Sequence, residues 1–192
     1  MVNKQKLDKI DIKIIEEISK NPRLTLTNLS TNTNISRPTL TTHLKDLSDS
    51  GLLIYEAGLS LKTLGFVTAL VALEVKQEQS RIATENYLIH CPRVKYIFRT
   101  PGKANLHVIC WGEENSTLIA TINTFRNMPN TEVVSTLSLG TPIFGDYIIN
   151  LPKQRSKDNP CGNLCYECNT YLNGSCLGCP STEAYKGPLR VD

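Results

Sequence analysis

Residues 7–53 read LDKIDIKIIEEISKNPRLTLTNLSTNTNISRPTLTTHLKDLSDSGLL, and their apolar, capping and turn residues determine the architecture of the N-terminal part. Over residues 7–20 the apolar side chains recur at helical spacing with charged residues between them, which predicts an amphipathic helix. Asn21 and Pro22 end it, because the residue before a proline is pushed out of the helical region. A second, short helix is predicted over about 25–32.

A third helix follows a polar turn. Ser36 is a suitable N-cap, Pro38 lies in the first turn where proline is tolerated, and Gly51 is a typical C-terminal stop after about Asp49. One apolar stripe runs along this helix and faces inward: Leu40, Leu44 and Leu47. Two short helices joined by a tight turn after a first packing helix are the helix-turn-helix pattern.

The outward face of the third helix is polar and carries side chains that can donate hydrogen bonds to phosphates or read bases. Its N-terminal end would point at base edges. We predict that duplex DNA is bound by Arg37, Pro38, Thr39, Thr42, His43 and Lys45. The alternative from periodicity alone is a three-helix module that packs against another protein.

Downstream, apolar and β-branched segments alternate with amphipathic ones and predict the order β-α-β-β-α-β, the ferredoxin-like arrangement. The helices are expected to pack Ile82, Leu88 and Ile89, and Leu118, Ile119, Ile122 and Phe125, against a sheet. The predicted strands are 66–75, 94–99, 106–111 and 132–139, the predicted helices 80–90 and 116–126, with short extra strands at 52–55 and 144–151.

Residues 7–53 resemble the N-terminal domain of Lrp/AsnC (feast/famine) transcriptional regulators. The resemblance rests on two patterns, an opening of Leu7, Asp8, Asp11, Ile14, Ile15, Ile18, Asn21 and Arg23, and a recognition-helix pattern of Ser36, Leu40, Leu47, Gly51 and Leu53. His43 stands where the family has arginine. Residues 66–150 then resemble the family's ligand-sensing and oligomerisation domain.

The resemblance implies a homodimer that assembles to a higher oligomer, and a small-molecule effector held by the loop of the central hairpin. In the family that loop carries Gly-x-x-Asp, whereas this chain has Gly102-Lys103-Ala104-Asn105. An amide in place of the carboxylate loses the charge-assisted contact to an amino-acid ammonium group. The effector-loop residues are predicted to be Thr100, Gly102, Lys103 and Asn105, with a purely structural turn as the alternative.

Five of the seven cysteines crowd into a C-terminal segment: Cys161, Cys165, Cys168, Cys176 and Cys179. Two C-x2-C pairs seven residues apart have the spacing of a tetrahedral zinc site. The segment has few apolar residues, so that metal ligation would supply its stability. Four thiolates can also hold an iron–sulfur cluster, which is one alternative to zinc. A thiol redox switch is another. Cys91 and Cys110 are expected to be structural.

The bulk composition fits a cytoplasmic globular protein. Apolar residues make up 40% of the chain, the net charge is +3, and no stretch approaches the roughly 20 apolar residues that span a bilayer. The predicted organisation is α+β: a helix-turn-helix domain (1–55), a connector (56–65), the ferredoxin-like domain (66–151), a linker (152–160) and the cysteine-rich metal-binding tail (161–192).

We expect a regulator and not an enzyme. A competing hypothesis is a siroheme decarboxylase-like, tetrapyrrole-processing enzyme on the same fold, for which His90, His107 and Arg99 would be the candidates. A metal-storage or redox module is a third.

Overall fold

The computed structural model describes residues 7–140, 142–145, 147–150 and 159–190. The chain divides into two compact units, residues 1–57 and residues 58–192. We call the first the HTH unit, and within the second we distinguish the sheet domain (58–150) from the tail (159–190). The predicted linker at 152–160 falls largely outside the described residues. No helix in the described part of the chain is long and apolar enough to cross a membrane.

The HTH unit contains three helices, α1 (Lys9–Lys20), α2 (Leu26–Thr33) and α3 (Arg37–Asp49). Each begins at a side-chain cap: Asp8 forms a capping box with Asp11, Thr25 accepts from the backbone of Asn28, and Ser36 accepts from Thr39. Such caps satisfy backbone N–H groups that a helix N-terminus leaves unpaired. One small core holds the helices together, formed by Ile14, Ile18, Leu29, Leu40 and Leu47.

The predicted strand at 52–55 is wrong. These residues follow α3 without strand structure, and Ile54 is 77% exposed. A strand needs a partner to satisfy its backbone groups, and none of the described segments pairs with this one.

The sheet domain confirms the β-α-β-β-α-β order. Four antiparallel strands lie in the spatial order β3-β4-β2-β5 with two helices on one face. The elements are β1 (Leu59–Ser60), β2 (Val67–Val75), α4 (Glu78–His90), β3 (Val94–Arg99), β4 (Leu106–Gly112), α5 (Asn115–Arg126), β5 (Thr131–Leu139) and β6 (Ile148–Ile149).

The core of this domain lies between the sheet and the helices. Alternate residues of β2 and β4 face it, among them Val71, Leu73 and Val108, and Leu88 and Phe125 cover them from α4 and α5. The opposite sheet face is also apolar but open, because Tyr96, Phe98 and Leu137 on the outer strands remain about half exposed.

Three apolar helix residues predicted to face inward are exposed. Ile82, Ile89 and Ile119 have more than half of their side-chain surface accessible, because they lie at the edges of helical stripes whose centres are occupied by Leu88, Ile122 and Phe125. The predicted extra strand at 144–151 shortens to β6, which pairs with β1 and not with the edge of the main sheet; Phe144 before it is fully exposed.

The tail begins with a 3-10 turn (Cys165–Glu167) and a single-turn helix, α6 (Asn169–Leu172). Its remaining residues are irregular, yet Tyr185 and Thr182 are almost completely buried. The tail belongs to the same compact unit as the sheet domain.

Candidate functional site

The outward face of α3 is the candidate nucleic-acid interface. Arg37, Pro38, Thr42 and Lys45 are exposed, and Thr39 is half buried beside the capping Ser36. The first turn of α3 contains no acidic residue, so the positive end of the helix dipole is unopposed there and favours an anion. The exposed Thr41, which the sequence analysis missed, lies in the same half of the helix.

His43 faces α1, not the outward side. Its Nδ1 lies 2.7 Å from Oδ1 of Asp11, and the hydrogen bond to this carboxylate raises the pKa of the imidazole. The pKa of Asp11 is lowered, since its hydrogen bonds to the Asp8 backbone and to His43 outweigh the opposing effect of burial. This contact holds α3 against α1, so the structure gives His43 a positioning role, and direct contact with DNA remains a prediction for it.

The loop of the central hairpin is held by its own side chains. Asn105 accepts from the backbone N–H of Val75 at 3.0 Å and donates to its carbonyl at 2.9 Å. Thr100 donates to the carbonyl of Ala104 at 2.8 Å. Gly102 has a φ of +114°, a conformation that favours glycine. Thr100 and Asn105 therefore shape the loop.

A carboxylate that the sequence analysis missed lies beside this loop. Oε2 of Glu74, on β2, is buried without a hydrogen-bond partner, and Nζ of Lys103 is 3.7 Å from it. A buried carboxylate oxygen normally has a donor. Glu74 thus supplies a negative charge close to the position where the Gly-x-x-Asp pattern would have put one.

The candidates of the enzyme hypothesis are each engaged by a different neighbour. Nε and Nη2 of Arg99 donate to Glu85 at 2.7 and 2.6 Å. His107 lies 2.8 Å from the hydroxyl of Thr100, and His90 contacts the carbonyl of Asn86 on its own helix. The arrangement does not bring the three together as a catalytic group.

Six cysteines line one cavity of about 60 Å³ between the tail and the sheet domain. They are Cys91, Cys161, Cys165, Cys168, Cys176 and Cys179; we call this space the cysteine cavity. Its other wall is formed by α4 and α5, through Tyr87, Thr121 and Thr124, and by Arg93. Cys110 does not line the cavity and lies instead in the core of the sheet domain, as expected.

Four of the six thiols that line the cysteine cavity are desolvated. Burial raises the pKa of Cys91 and of Cys165, each to about 11, and it also raises the pKa of Cys176 and Cys179. The charge of Arg93 and backbone hydrogen bonds from Gly178 and Ser181 oppose this increase at the last two. Buried thiols of this kind are inert as nucleophiles, whereas a metal ion makes them thiolates by binding.

The donor set fits a thiophilic metal, but the sulfur atoms are not gathered tightly. No three cysteine sulfurs of the described residues lie within 4.8 Å of one another, and the one group of ligand atoms that meets this distance there is Asp8, Asp11 and His43. Both carboxylates of that group already cap α1. Four thiolates on tetrahedral zinc would be separated by about 3.8 Å, so ligation would have to bring the sulfur atoms closer together.

Arg93 joins the tail to the sheet domain. Its Nη1 donates to both carboxylate oxygens of Glu113, at 3.2 and 3.0 Å, and its Nη2 donates to the carbonyl of Gly178, at 2.5 Å. The hydroxyl of Tyr185 donates to Oε1 of Glu113 at 2.6 Å. The side chains of Arg93 and Glu113 are only 5% and 3% exposed, so the tail seals an ion pair that belongs to the sheet domain.

Two neighbouring residues restrict the position of the Arg93 side chain in this ion pair. The guanidinium carbon lies 5.4 Å from the ring centroid of Trp111, the single tryptophan of the chain. Gly178 has a φ of +82°, and a Cβ there would come within 2.7 Å of the carbonyl oxygen of Ala184. Glycine is therefore required where the tail backbone approaches Arg93.

Comparison with known proteins places these features in a family. A winged helix-turn-helix DNA-binding model matches residues 7–54. The HTH-type transcriptional regulator LrpC of Bacillus subtilis is 31% identical over 101 residues, which cover 52% of this chain and 69% of that protein. The chain belongs to the Lrp/AsnC family of transcriptional regulators.

Solved structures agree with this fold. LrpC of B. subtilis superposes with a TM-score of 0.61 at 26% identity, covering 73% of this chain and 99% of LrpC. AsnC of E. coli gives 0.60 at 19%, covering 75% and 99%. A transcriptional regulator of Neisseria meningitidis, solved as a complex with L-Met, gives 0.62 at 24%, covering 76% and 97%. About a quarter of this chain thus has no counterpart in them.

Proposed function

We propose that this chain is a sequence-specific, homo-oligomeric regulator of transcription that acts in the cytoplasm and carries a metal ion in its cysteine tail. The observation that carries DNA binding is the exposed side of α3, where Arg37, Thr42 and Lys45 lie on a helix whose first turn contains no acidic side chain. A helix of this kind enters the major groove by its N-terminal part. Transcriptional regulation is also the function of LrpC, by its name.

Duplex binding tests this proposal. Full-length protein should bind the duplex that precedes its own gene more tightly than a random duplex, and affinity should fall steeply with salt. Arg37→Ala and Lys45→Ala should each weaken binding about 5- to 100-fold and lower the salt slope by about one. Lys62→Ala, an exposed lysine of the sheet domain, is the matched control. Fluorescence anisotropy measures all four; equal affinities for the variants and the control would contradict the assignment.

Homodimerisation would use the open face of the sheet. Tyr96 and Phe98 on β3 and Leu137 on β5 are exposed there and form, with the half-buried Leu70 and Ile109, one apolar surface. Exposed apolar patches of this kind on a soluble protein mark an interaction site. Two-fold pairing would give two α3 helices for two half-sites on DNA.

An amino-acid effector is proposed for the hairpin loop that contains Thr100, Gly102, Lys103 and Asn105. Oε2 of Glu74, which has no hydrogen-bond donor and lies 3.7 Å from Nζ of Lys103, would accept from the effector's ammonium group in place of the carboxylate that Asn105 lacks. The Neisseria neighbour was solved with L-Met, which makes this amino acid the first probe.

Glu74→Gln should therefore weaken effector binding. Calorimetric titration of the full-length protein with L-methionine and the other amino acids identifies the ligand. Loss of the charge-assisted hydrogen bond should then lower affinity about 10- to 100-fold. Glu132→Gln is the control, because Glu132 is the cross-strand partner of Glu74 on β5 and is half exposed. Equal affinity of both variants would exclude Glu74 from the site.

The cysteine cavity supports the metal proposal, with zinc first and an iron–sulfur cluster as the alternative. Protein purified without oxygen should be colourless and contain about one zinc per chain by elemental analysis. A brown protein that contains iron and sulfide would show that the tail holds an iron–sulfur cluster instead of zinc. Removal of the metal by a chelator should expose the tail to proteolysis while leaving the HTH unit protected, because ligation supplies the tail's stability. Metal-free protein with an equally resistant tail would contradict the proposal.

A further inference from the structure

The cysteine cavity is not enclosed by the tail alone. Five of its six thiols come from the tail, and the sixth, Cys91, belongs to the turn between α4 and β3 of the sheet domain. Cys91 is 8% exposed. Cys110, the other cysteine of this domain, is completely buried and lies in the apolar core, away from the cavity.

The backbone around Cys91 is fixed. The amide of Cys91 donates to the carbonyl of Leu88, and its carbonyl accepts from the amide of Val94 at 3.0 Å. Cys91 therefore lines the cavity from a hydrogen-bonded turn whose backbone position is defined.

Arg93 also connects the two sides of the cavity. Arg93 lines the cavity and follows Cys91 by two residues, and its Nη2 holds the carbonyl of Gly178, which lies between Cys176 and Cys179.

We propose that Cys91 is a metal ligand, so that the metal site is shared between the sheet domain and the tail. The inference rests on the metal-binding function proposed above and adds a ligand from outside the tail. Metal would then tie the first residue after α4 to the tail and fix the start of β3.

Cobalt substitution tests this ligand assignment in the full-length protein. Co²⁺ bound to thiolates gives a charge-transfer absorption whose intensity grows with the number of sulfur ligands. Cys91→Ala and Cys91→Ser should each lose about a quarter of this intensity at saturation, one thiolate of four. Both should bind Co²⁺ at least about ten-fold more weakly. Cys110→Ala is the matched control and should keep both properties, and Trp111 fluorescence verifies that each variant is folded.

The other outcomes all count against the proposal, in distinguishable ways. Unchanged intensity and affinity in both Cys91 variants would assign every ligand to the tail and leave metal binding intact. Weaker binding at unchanged intensity would give Cys91 a packing role only. Failure of the wild-type protein to bind Co²⁺ or Zn²⁺ would overturn the shared site together with the metal-binding function.

Discussion

Arg93→Met is expected to lower the free energy of unfolding of the sheet domain by about 3–5 kcal/mol, the usual result of removing one partner from a buried ion pair. The change leaves Glu113, whose side chain is 3% exposed, with Tyr185 as its remaining donor. It also removes the contact with the carbonyl of Gly178. The tail should therefore dock less tightly as well.

The measurement is urea denaturation of the full-length protein followed by the fluorescence of Trp111, which lies under Arg93. Arg99→Met is the control, because Arg99 also pairs with a carboxylate, that of Glu85, but is 67% exposed. Exposed ion pairs contribute about 0–1 kcal/mol. Equal losses of unfolding free energy in Arg93→Met and Arg99→Met would show that the buried Arg93–Glu113 pair stabilises the protein no more than an exposed pair does.

A double variant separates the ion pair from the packing around it. The double variant Arg93→Met with Glu113→Leu leaves no buried charge at this position. Replacing both partners of a buried ion pair by apolar residues recovers much of the stability that is lost when only one is replaced. Recovery of stability without recovery of tail protection from proteolysis would assign tail docking to the two hydrogen bonds that the pair makes with the tail, from Arg93 to the carbonyl of Gly178 and from the hydroxyl of Tyr185 to Glu113.

The helices and strands were predictable because their signals are local. Asp8, Thr25 and Ser36 cap the helices that the apolar period predicts, and β-branched runs gave the four strands of the main sheet. The wrong predictions concern segments whose structure depends on pairing with a distant part of the chain. β1 and β6 are two residues each and pair across about 90 residues of sequence, so that neither is visible in its own segment.

The candidate sites were likewise predictable where the signal is local, and not where it depends on tertiary contacts. Spacing alone grouped the five tail cysteines and gave the exposed side of α3. It could not show that Cys91 meets them or that Arg93 holds Gly178, 85 residues away, because those contacts follow from where the tail docks. The sequence places His43, where the family has arginine, among the predicted DNA-contacting residues, whereas its pairing with Asp11 depends on how α1 crosses α3.

Leu40→Ala is expected to abolish DNA binding by unfolding the HTH unit. Leu40 is 0% exposed and lies on α3 at the centre of a core of only five buried side chains. Truncating a buried leucine costs about 2–5 kcal/mol, the lost burial together with the cavity left behind. A unit of 57 residues has a small core and little stability to lose.

The control for this change is Thr42→Ala, two residues along the same helix on its exposed side. Circular dichroism and hydrogen exchange should show that α1, α2 and α3 lose protection in Leu40→Ala and keep it in Thr42→Ala. Both variants should keep the fluorescence of Trp111, because the sheet domain has its own core. If Leu40→Ala instead unfolded the whole chain in one transition, the HTH unit and the sheet domain would share their stability, and binding of metal or effector could then act on DNA affinity through that shared stability.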